Sequence, residues 1–186
     1  MIREYRGRRP GAKGEIGRML KDGRLSCGGT YQMPYGGMYS GESLVRQFYL
    51  GARWSKENLD GYFPDTYWNL DVPGRTMQMP QIMFKSGIEY LIIGRDEKGV
   101  FRWYSPDGSF VYAYSTGAFG ADIKLLNKEF SIAAGSLAQK FLFWEKGYND
   151  NSKQAAIPVL SCKDMSPAKD YSQLISKWNS LDSYRD

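Results

Sequence analysis

The chain has 186 residues, 42% of them hydrophobic and 15% aromatic, which fits one globular domain and excludes a disordered chain; it is short of the roughly 250 residues of a complete eight-stranded α/β barrel. No apolar run approaches the roughly 20 residues that a membrane helix requires. The formal charge of +5 invites a nucleic-acid reading, but four arginines sit in the first ten residues and the other cations are interspersed with acids, so a solvated, mildly basic surface is expected, with neither nucleic acid nor membrane as partner.

In chain order, Met1 to Pro10 carries Arg3, Arg6, Arg8 and Arg9 with no apolar h-region behind it, so it does not read as a secretory signal and leaves the compartment open. Residues 1–13 are taken as a basic tail and 14–186 as the folded domain. The apolar periodicity predicts helices over Glu15–Lys21 and Gly41–Leu59, the second with a stripe of Leu44, Val45, Phe48, Tyr49 and Ala52. A third helix is expected over Met77–Ser86, with Gly87 ending it. Ile132–Lys146 and Pro167–Leu181 follow, the last presenting Tyr171, Leu174, Ile175, Trp178 and Leu181 on one face. Trp54 and Trp178 lie on such stripes and are expected in the core.

Strands are predicted over Leu25–Tyr31, Tyr67–Asp71, Tyr90–Ile93, Phe110–Tyr114 and Ala156–Leu160, with Val100–Trp103 as a hairpin partner across Pro106-Asp107-Gly108. Alternation of strands with helices is the pattern of parallel βα units, and five main strands are fewer than a closed barrel needs. Two cysteines, Cys27 and Cys162, lie far apart in no CxxC pair; reduced core thiols fit better than a disulfide frame, though a single bridge stays open.

There is no histidine, so within this chain imidazole-based triads and imidazole metal sites are excluded and catalysis has to run on carboxylates, tyrosines or lysines. Two acids stand just past strand candidates, Asp71 and Asp164. Parallel strands release their carboxyl ends on one face of a sheet, so both carboxylates are candidates for a single cleft, and a carboxylate pair is what glycoside hydrolysis uses. The bland reading of each is a helix N-cap, and it weighs more on Asp164, three residues ahead of Pro167. Trp68, Trp103, Tyr35 and Tyr39 are candidates for a sugar-stacking platform, against ordinary packing; Arg75 and Arg46 are candidates for ligand contact, against ion pairs with neighbouring acids.

The run Trp68-Asn69-Leu70-Asp71-Val72-Pro73-Gly74, followed by Met79-Pro80-Gln81-Ile82, Lys85-Ser86-Gly87 and Leu91-Ile92-Ile93-Gly94-Arg95, closely resembles the nucleophile region of the α-mannosidases of glycoside hydrolase family 38. There a Trp-x-x-Asp-x-x-Gly motif precedes an apolar-Pro-x-Ile helix and a Lys-Ser-Gly turn. Gly41 to Gln47 resembles the family's preceding helix, and Trp103 to Ser109 its Trp-x-x-x-Asp-Gly-Ser segment. Lys163-Asp164-Met165 falls where the family has a Ser-Asp-Phe turn with its acid/base.

The resemblance spans Gly14 to Asn179, the middle of the N-terminal catalytic domain with both flanks missing. It implies an incomplete (β/α) barrel of a seven-stranded type, mostly parallel, whose open edges invite pairing with another copy or with the remainder of the polypeptide. It implies retaining hydrolysis of α-mannosides, with Asp71 as nucleophile and zinc ligand and Asp164 as acid/base. It implies Arg95 as a polar contact near the nucleophile, and Trp68, Trp103, Asp107 and Arg75 are further candidate substrate contacts. The family's zinc-binding His-x-Asp pair and its later histidine have no counterpart here, and Pro73-Gly74-Arg75-Thr76 replaces Phe-Gly-His-Ser. Little activity is therefore expected of the chain alone, and the alternative is a non-catalytic carbohydrate-binding or interaction module that has lost its metal site.

Overall fold

A computed structural model describes residues 2–96, 99–117, 126, 128–147 and 169–181. The chain divides into two compact units, Met1–Gly117 and Ala118–Asp186. The first contains α1 (Ile2–Arg8), α2 (Ala12–Lys21), α3 (Gly41–Asn58), β1 (Thr66–Asn69), α4 (Met79–Lys85), β2 (Tyr90–Ile93), β3 (Gly99–Tyr104) and β4 (Phe110–Ser115). The second contains α5 (Phe130–Gly147) and α6 (Ser172–Asn179).

The arginine-rich opening is helical: Arg8 pairs with Glu4 one turn back at 2.7 Å, and Arg6 donates to the Asn58 carbonyl at the end of α3 at 2.6 Å. Behind it, α2 buries Ala12, Ile16 and Leu20 with Leu59, and Trp54, Leu25, Cys27 and Tyr62 pack around that cluster. Burial raises the Cys27 thiol above its ordinary pKa.

The sheet has the order β1-β2-β4-β3, with β1, β2 and β4 parallel and β3 antiparallel to β4. Four strands among the described residues make a mixed α/β sheet that does not close. The hairpin is the one expected across Pro106-Asp107-Gly108, where Gly108 takes φ +84 and Asp107 accepts from the Ser109 amide at 3.1 Å.

Strand alternation sends Tyr67, Leu91, Ile93, Val111 and Ala113 to one face, where Leu44 and Phe48 of α3 and Met79 and Met83 of α4 cover them. Phe48 and Tyr67 meet edge to face, centroids 5.1 Å apart. On the opposite face Tyr90 and Tyr112 stack at 6.2 Å, with the Arg102 guanidinium over the rings of Tyr112 and Phe110.

The α3 helix begins where the periodicity predicts, with the Ser40 hydroxyl accepting from the Ser43 amide at 3.2 Å as its N-cap. Its buried line is Leu44, Phe48, Gly51 and Ser55, while Val45 and Tyr49 are exposed. The apolar stripe in the sequence is thus broader than the face the sheet covers.

The predicted strand Leu25–Tyr31 is corrected: no strand forms there. Its donors are used elsewhere, Tyr31 N–H on the Gln47 carbonyl of α3 at 3.0 Å and Cys27 N–H on the Tyr62 hydroxyl at 3.4 Å. The segment crosses α3 at Gly51, where an added Cβ would sit 2.6 Å from the Thr30 carbonyl carbon. It therefore packs on a helix by its backbone.

The α4 helix starts at Met79, two residues later than expected. Its first turn is capped from a distance: the Ser105 hydroxyl accepts from the Gln81 amide at 3.0 Å and donates to the Met77 carbonyl at 2.9 Å. Gly87, at φ +76, follows its end.

In the second unit, Ala133 and Leu137 of α5 are buried. Leu126, Leu137, Phe141, Tyr171, Leu174 and Trp178 contribute to the lining of a cavity of about 290 Å³. The predicted strand Ala156–Leu160, Asp164 and the start of the Pro167 helix lie outside the described residues. No helix among the described residues is long and apolar enough to cross a membrane.

Candidate functional site at the carboxyl edge of the sheet

The parallel strands β1, β2 and β4 end side by side, since Asn69 pairs with Ile93 and Ile93 with Ser115. Just beyond that row stand Asp71 after β1 and Arg95 after β2. Arg95 Nε donates to Asp71 Oδ1 at 2.6 Å, and a second guanidinium nitrogen touches the same oxygen. The two side chains are 41% and 59% exposed, so this ion pair faces solvent and contributes about 0–1 kcal/mol to stability. Asp71 Oδ2 has no hydrogen-bond partner among the described residues.

Arg95 holds an uncommon backbone for a residue with a side chain, φ +66, and its amide donates to the Gly117 carbonyl at 2.7 Å. Gly94 before it lies against the Leu70 carbonyl so closely that a Cβ has no room. On the other flank Gly74, at φ +74, turns the chain after Pro73. The Gly37 amide reaches the Gly74 carbonyl at 3.2 Å, bringing the loop with exposed Tyr35 and Tyr39 against that turn.

Beneath the edge is a buried polar chain. Asn69 is buried among apolar residues and donates through Nδ2 to the Tyr67 hydroxyl at 2.8 Å, while Arg75 Nε donates to Asn69 Oδ1 at 2.9 Å. Burial pushes the Tyr67 phenol from its ordinary 10.0 up to about 12, against the opposing effects of the Asn69 hydrogen bond and the Arg75 charge. A folded pKa above the unfolded one means that this group's stabilisation is full below about pH 10 and is lost as pH rises through about 12. In an alkaline ultraviolet titration Tyr67 is expected to give a late phenolate step that Tyr67→Phe removes. An unchanged titration curve in the variant would contradict this.

Arg75 turns inward. Besides Asn69 Oδ1 it donates to the Asn69 carbonyl at 3.0 Å, the Gly94 carbonyl at 3.3 Å and Asp96 Oδ2 at 2.7 Å, and its side chain is only 12% exposed. Arg46 is held by Glu42 at 2.8 Å. Trp68, on the face opposite Tyr67, donates its indole N–H to the Ser26 hydroxyl at 3.4 Å.

Trp103 and Asp107 stand at the other end of β4, where Tyr104 pairs with Phe110. Trp103 packs partly buried on the helix-covered core. Partial desolvation raises the Asp107 carboxyl, but the Ser109 amide and hydroxyl, Gln81 and Lys85 outweigh it and bring it below the ordinary carboxylate value. The structure thus gathers Asp71, Arg95 and Arg75 at one edge and leaves Trp103 and Asp107 away from it.

Two members of the edge were not singled out from the sequence, Asn69 and Asp96. The first carried a signal: alternation in a buried strand puts positions 67 and 69 on one face, and a buried amide demands partners. Asp96 carried none, because its partner is 21 positions away.

A zinc ion takes about four ligands from cysteine, histidine and carboxylates. The chain has no histidine, no group of three or more such residues comes together among the described residues, and a guanidinium already lies on Asp71. These residues do not fit a zinc site.

An "Alpha-mannosidase 2" of Spodoptera frugiperda is 33% identical over 87 residues, 46% of this chain and 8% of that protein. An "Alpha-mannosidase" of Saccharomyces cerevisiae is 33% identical over 93 residues, again 46% and 8%. The matched stretches span between 8% and 14% of the length of the curated relatives. The crystal structure of an α-mannosidase from Enterococcus faecalis superposes with a TM-score of 0.62 at 20% identity, covering 76% of this chain and 17% of that one, a likeness of fold. The family model of the Glycosyl hydrolases family 38 N-terminal domain matches residues 2–185, and the chain belongs to that family.

Proposed function

We propose that the chain carries the nucleophile edge of a retaining α-mannosidase, within a partial (β/α) barrel domain over residues 14–186 that follows a basic segment at 1–13. One observation carries the reading: in a family 38 chain, the half-exposed carboxylate of Asp71 stands past the carboxyl end of a parallel strand, with no partner on Oδ2 among the described residues. Strand ends of this kind are where α/β barrels keep their chemistry. The edges of β1 and β3, unpaired among the described residues, are suited to pairing with another copy or with further strands of the same domain.

Arg95 orients Asp71 through Oδ1, leaving Oδ2 to attack. In the first step Oδ2 bonds to the anomeric carbon as the glycosidic C–O bond breaks, and Asp164 gives its proton to the leaving oxygen. In the second, Asp164 takes a proton from water, whose oxygen bonds to the anomeric carbon and releases the Asp71 carboxylate. Configuration is retained through two inversions. Trp68, beside Ser26, and separately Tyr35 and Tyr39, on the loop against the Gly74 turn, are the aromatic side chains offered to a sugar ring. No step is routed through zinc, whose donors would have to come from outside the described residues.

A second reading is favoured by the guanidinium on Asp71: a carbohydrate-binding module in which Arg95 replaces a metal as the counter-charge. The deciding measurement is incubation of the 186-residue chain with an aryl α-mannoside, with and without chelator, followed by proton NMR of the released sugar. Release of the α-anomer first supports the hydrolase. Mannoside binding with no release, indifferent to chelator, replaces it with the binding module.

A further inference from the structure

Arg75 is spent on protein rather than presented to ligand. Four of its five N–H donors are engaged, on the Asn69 side chain and carbonyl, the Gly94 carbonyl and the Asp96 carboxylate. The positions of these acceptors matter. Asn69 lies two residues before Asp71, and Gly94 and Asp96 lie immediately on either side of Arg95.

One guanidinium therefore grips both flanks of Arg95 and the root of the Asp71 loop. Arg95 needs such a grip, because its backbone holds a left-handed conformation that a residue with a Cβ rarely adopts, and such conformations persist only where the surroundings over-determine them. The contacts to Asn69 and Gly94 are partly buried, with Arg75 12% exposed and Asn69 2% exposed, so they hold better than the solvent-facing Asp71–Arg95 pair that they frame, while Asp96, 49% exposed, holds Arg75 from the solvent side.

We propose that Arg75 is a positioning residue: its guanidinium staples the ends of β1 and β2 so that Arg95 is aimed at Asp71, leaving Oδ2 of the carboxylate turned toward substrate. This rests on the reading of Asp71 as the nucleophile, but it makes a claim about geometry that can be measured without turnover.

The test is the solvent exchange of the Arg95 Nε–H, followed by ¹H–¹⁵N NMR in the 186-residue chain. In the parent this proton is expected to exchange slowly, because it is held on Asp71. In Arg75→Met its exchange is expected to rise severalfold, up to about fivefold for a pair worth about 1 kcal/mol, with Arg75→Lys in between, since an amine keeps the reach to Asp96 but loses the fork. Leu20→Ala, in the α2 cluster away from the edge, serves as the destabilised control and is expected to leave the proton unchanged.

Parent-like exchange in a folded Arg75→Met overturns the proposal, as does an equal rise in Leu20→Ala. Should Arg75→Met fail to fold, Asp96→Asn carries the same test, with a rise in exchange supporting the staple and none overturning it. A parent that turns over no mannoside tells against the hydrolase reading alone, because the exchange measurement is independent of it. Where turnover is measurable, Arg75→Lys is expected to lower kcat with KM nearly unchanged.

Discussion

Asp71→Asn is expected to fold like the parent and to lose α-mannoside turnover by on the order of 10⁴-fold or more, the scale on which rates fall when a member of a reacting unit is removed. The amide has the carboxylate's shape but is too weak a nucleophile to form a glycosyl ester. Stability is expected to change by less than about 1 kcal/mol, because the pair it breaks faces solvent, with Asp71 41% and Arg95 59% exposed. Urea unfolding and an aryl α-mannoside assay on the same sample separate the two effects. Parent-like turnover in the variant would remove Asp71 from the mechanism. A large loss of stability would mean that the carboxylate holds the fold, which its exposure argues against.

Phe48→Ala has the largest expected effect on folding. The ring is fully buried between α3 and the sheet, touching the Tyr67 ring edge to face at 5.1 Å. Truncating a buried phenylalanine costs about 3–5 kcal/mol through lost transfer energy and the cavity left behind. Small domains have only about 5–15 kcal/mol in total, so the variant loses about a fifth or more of that reserve. Tyr49→Ala, one position along the same helix, is expected to cost about 0.5 kcal/mol or less, because Tyr49 is 57% exposed. Equal losses at the two positions in urea unfolding would mean that the buried face of α3 is misassigned.

That contrast marks where sequence pattern stops informing. Leu44, Val45, Phe48, Tyr49 and Ala52 form one apolar stripe by spacing, and the helix is where the spacing puts it. Which part of the stripe is buried depends on the angle at which α3 lies on the sheet, and that angle comes from the strands. The segment Leu25–Tyr31 has strand-like composition yet forms none. Its amides find acceptors on α3 and Tyr62, and Gly51 lets its backbone approach the helix. Composition reports the local preference of such a segment but not which neighbour captures its hydrogen bonds.

The site divides in the same way. An acid after an aromatic strand, followed by Pro-Gly, is a local arrangement, and Asp71 was legible for that reason. Arg75 reads as a candidate sugar contact against an ion pair with a neighbouring acid, and the structure places it on Asn69, Gly94 and Asp96. A cation's direction is set by which acceptors lie within reach, and here two of the four, on Gly94 and Asp96, lie past the end of another strand.

By itself the sequence determined the helices other than α1, the β2 strand, the β3–β4 hairpin and the carboxylate just past β1, since each is encoded within a few neighbouring residues by periodicity or turn chemistry. Only the tertiary structure decided that Arg95 covers one oxygen of Asp71, that Arg75 braces both strand ends, and that Ser105 caps α4. Those bonds join residues 24, 19 and 24 positions apart, and contacts at such separations arise from the packing of strands and helices rather than from any local pattern.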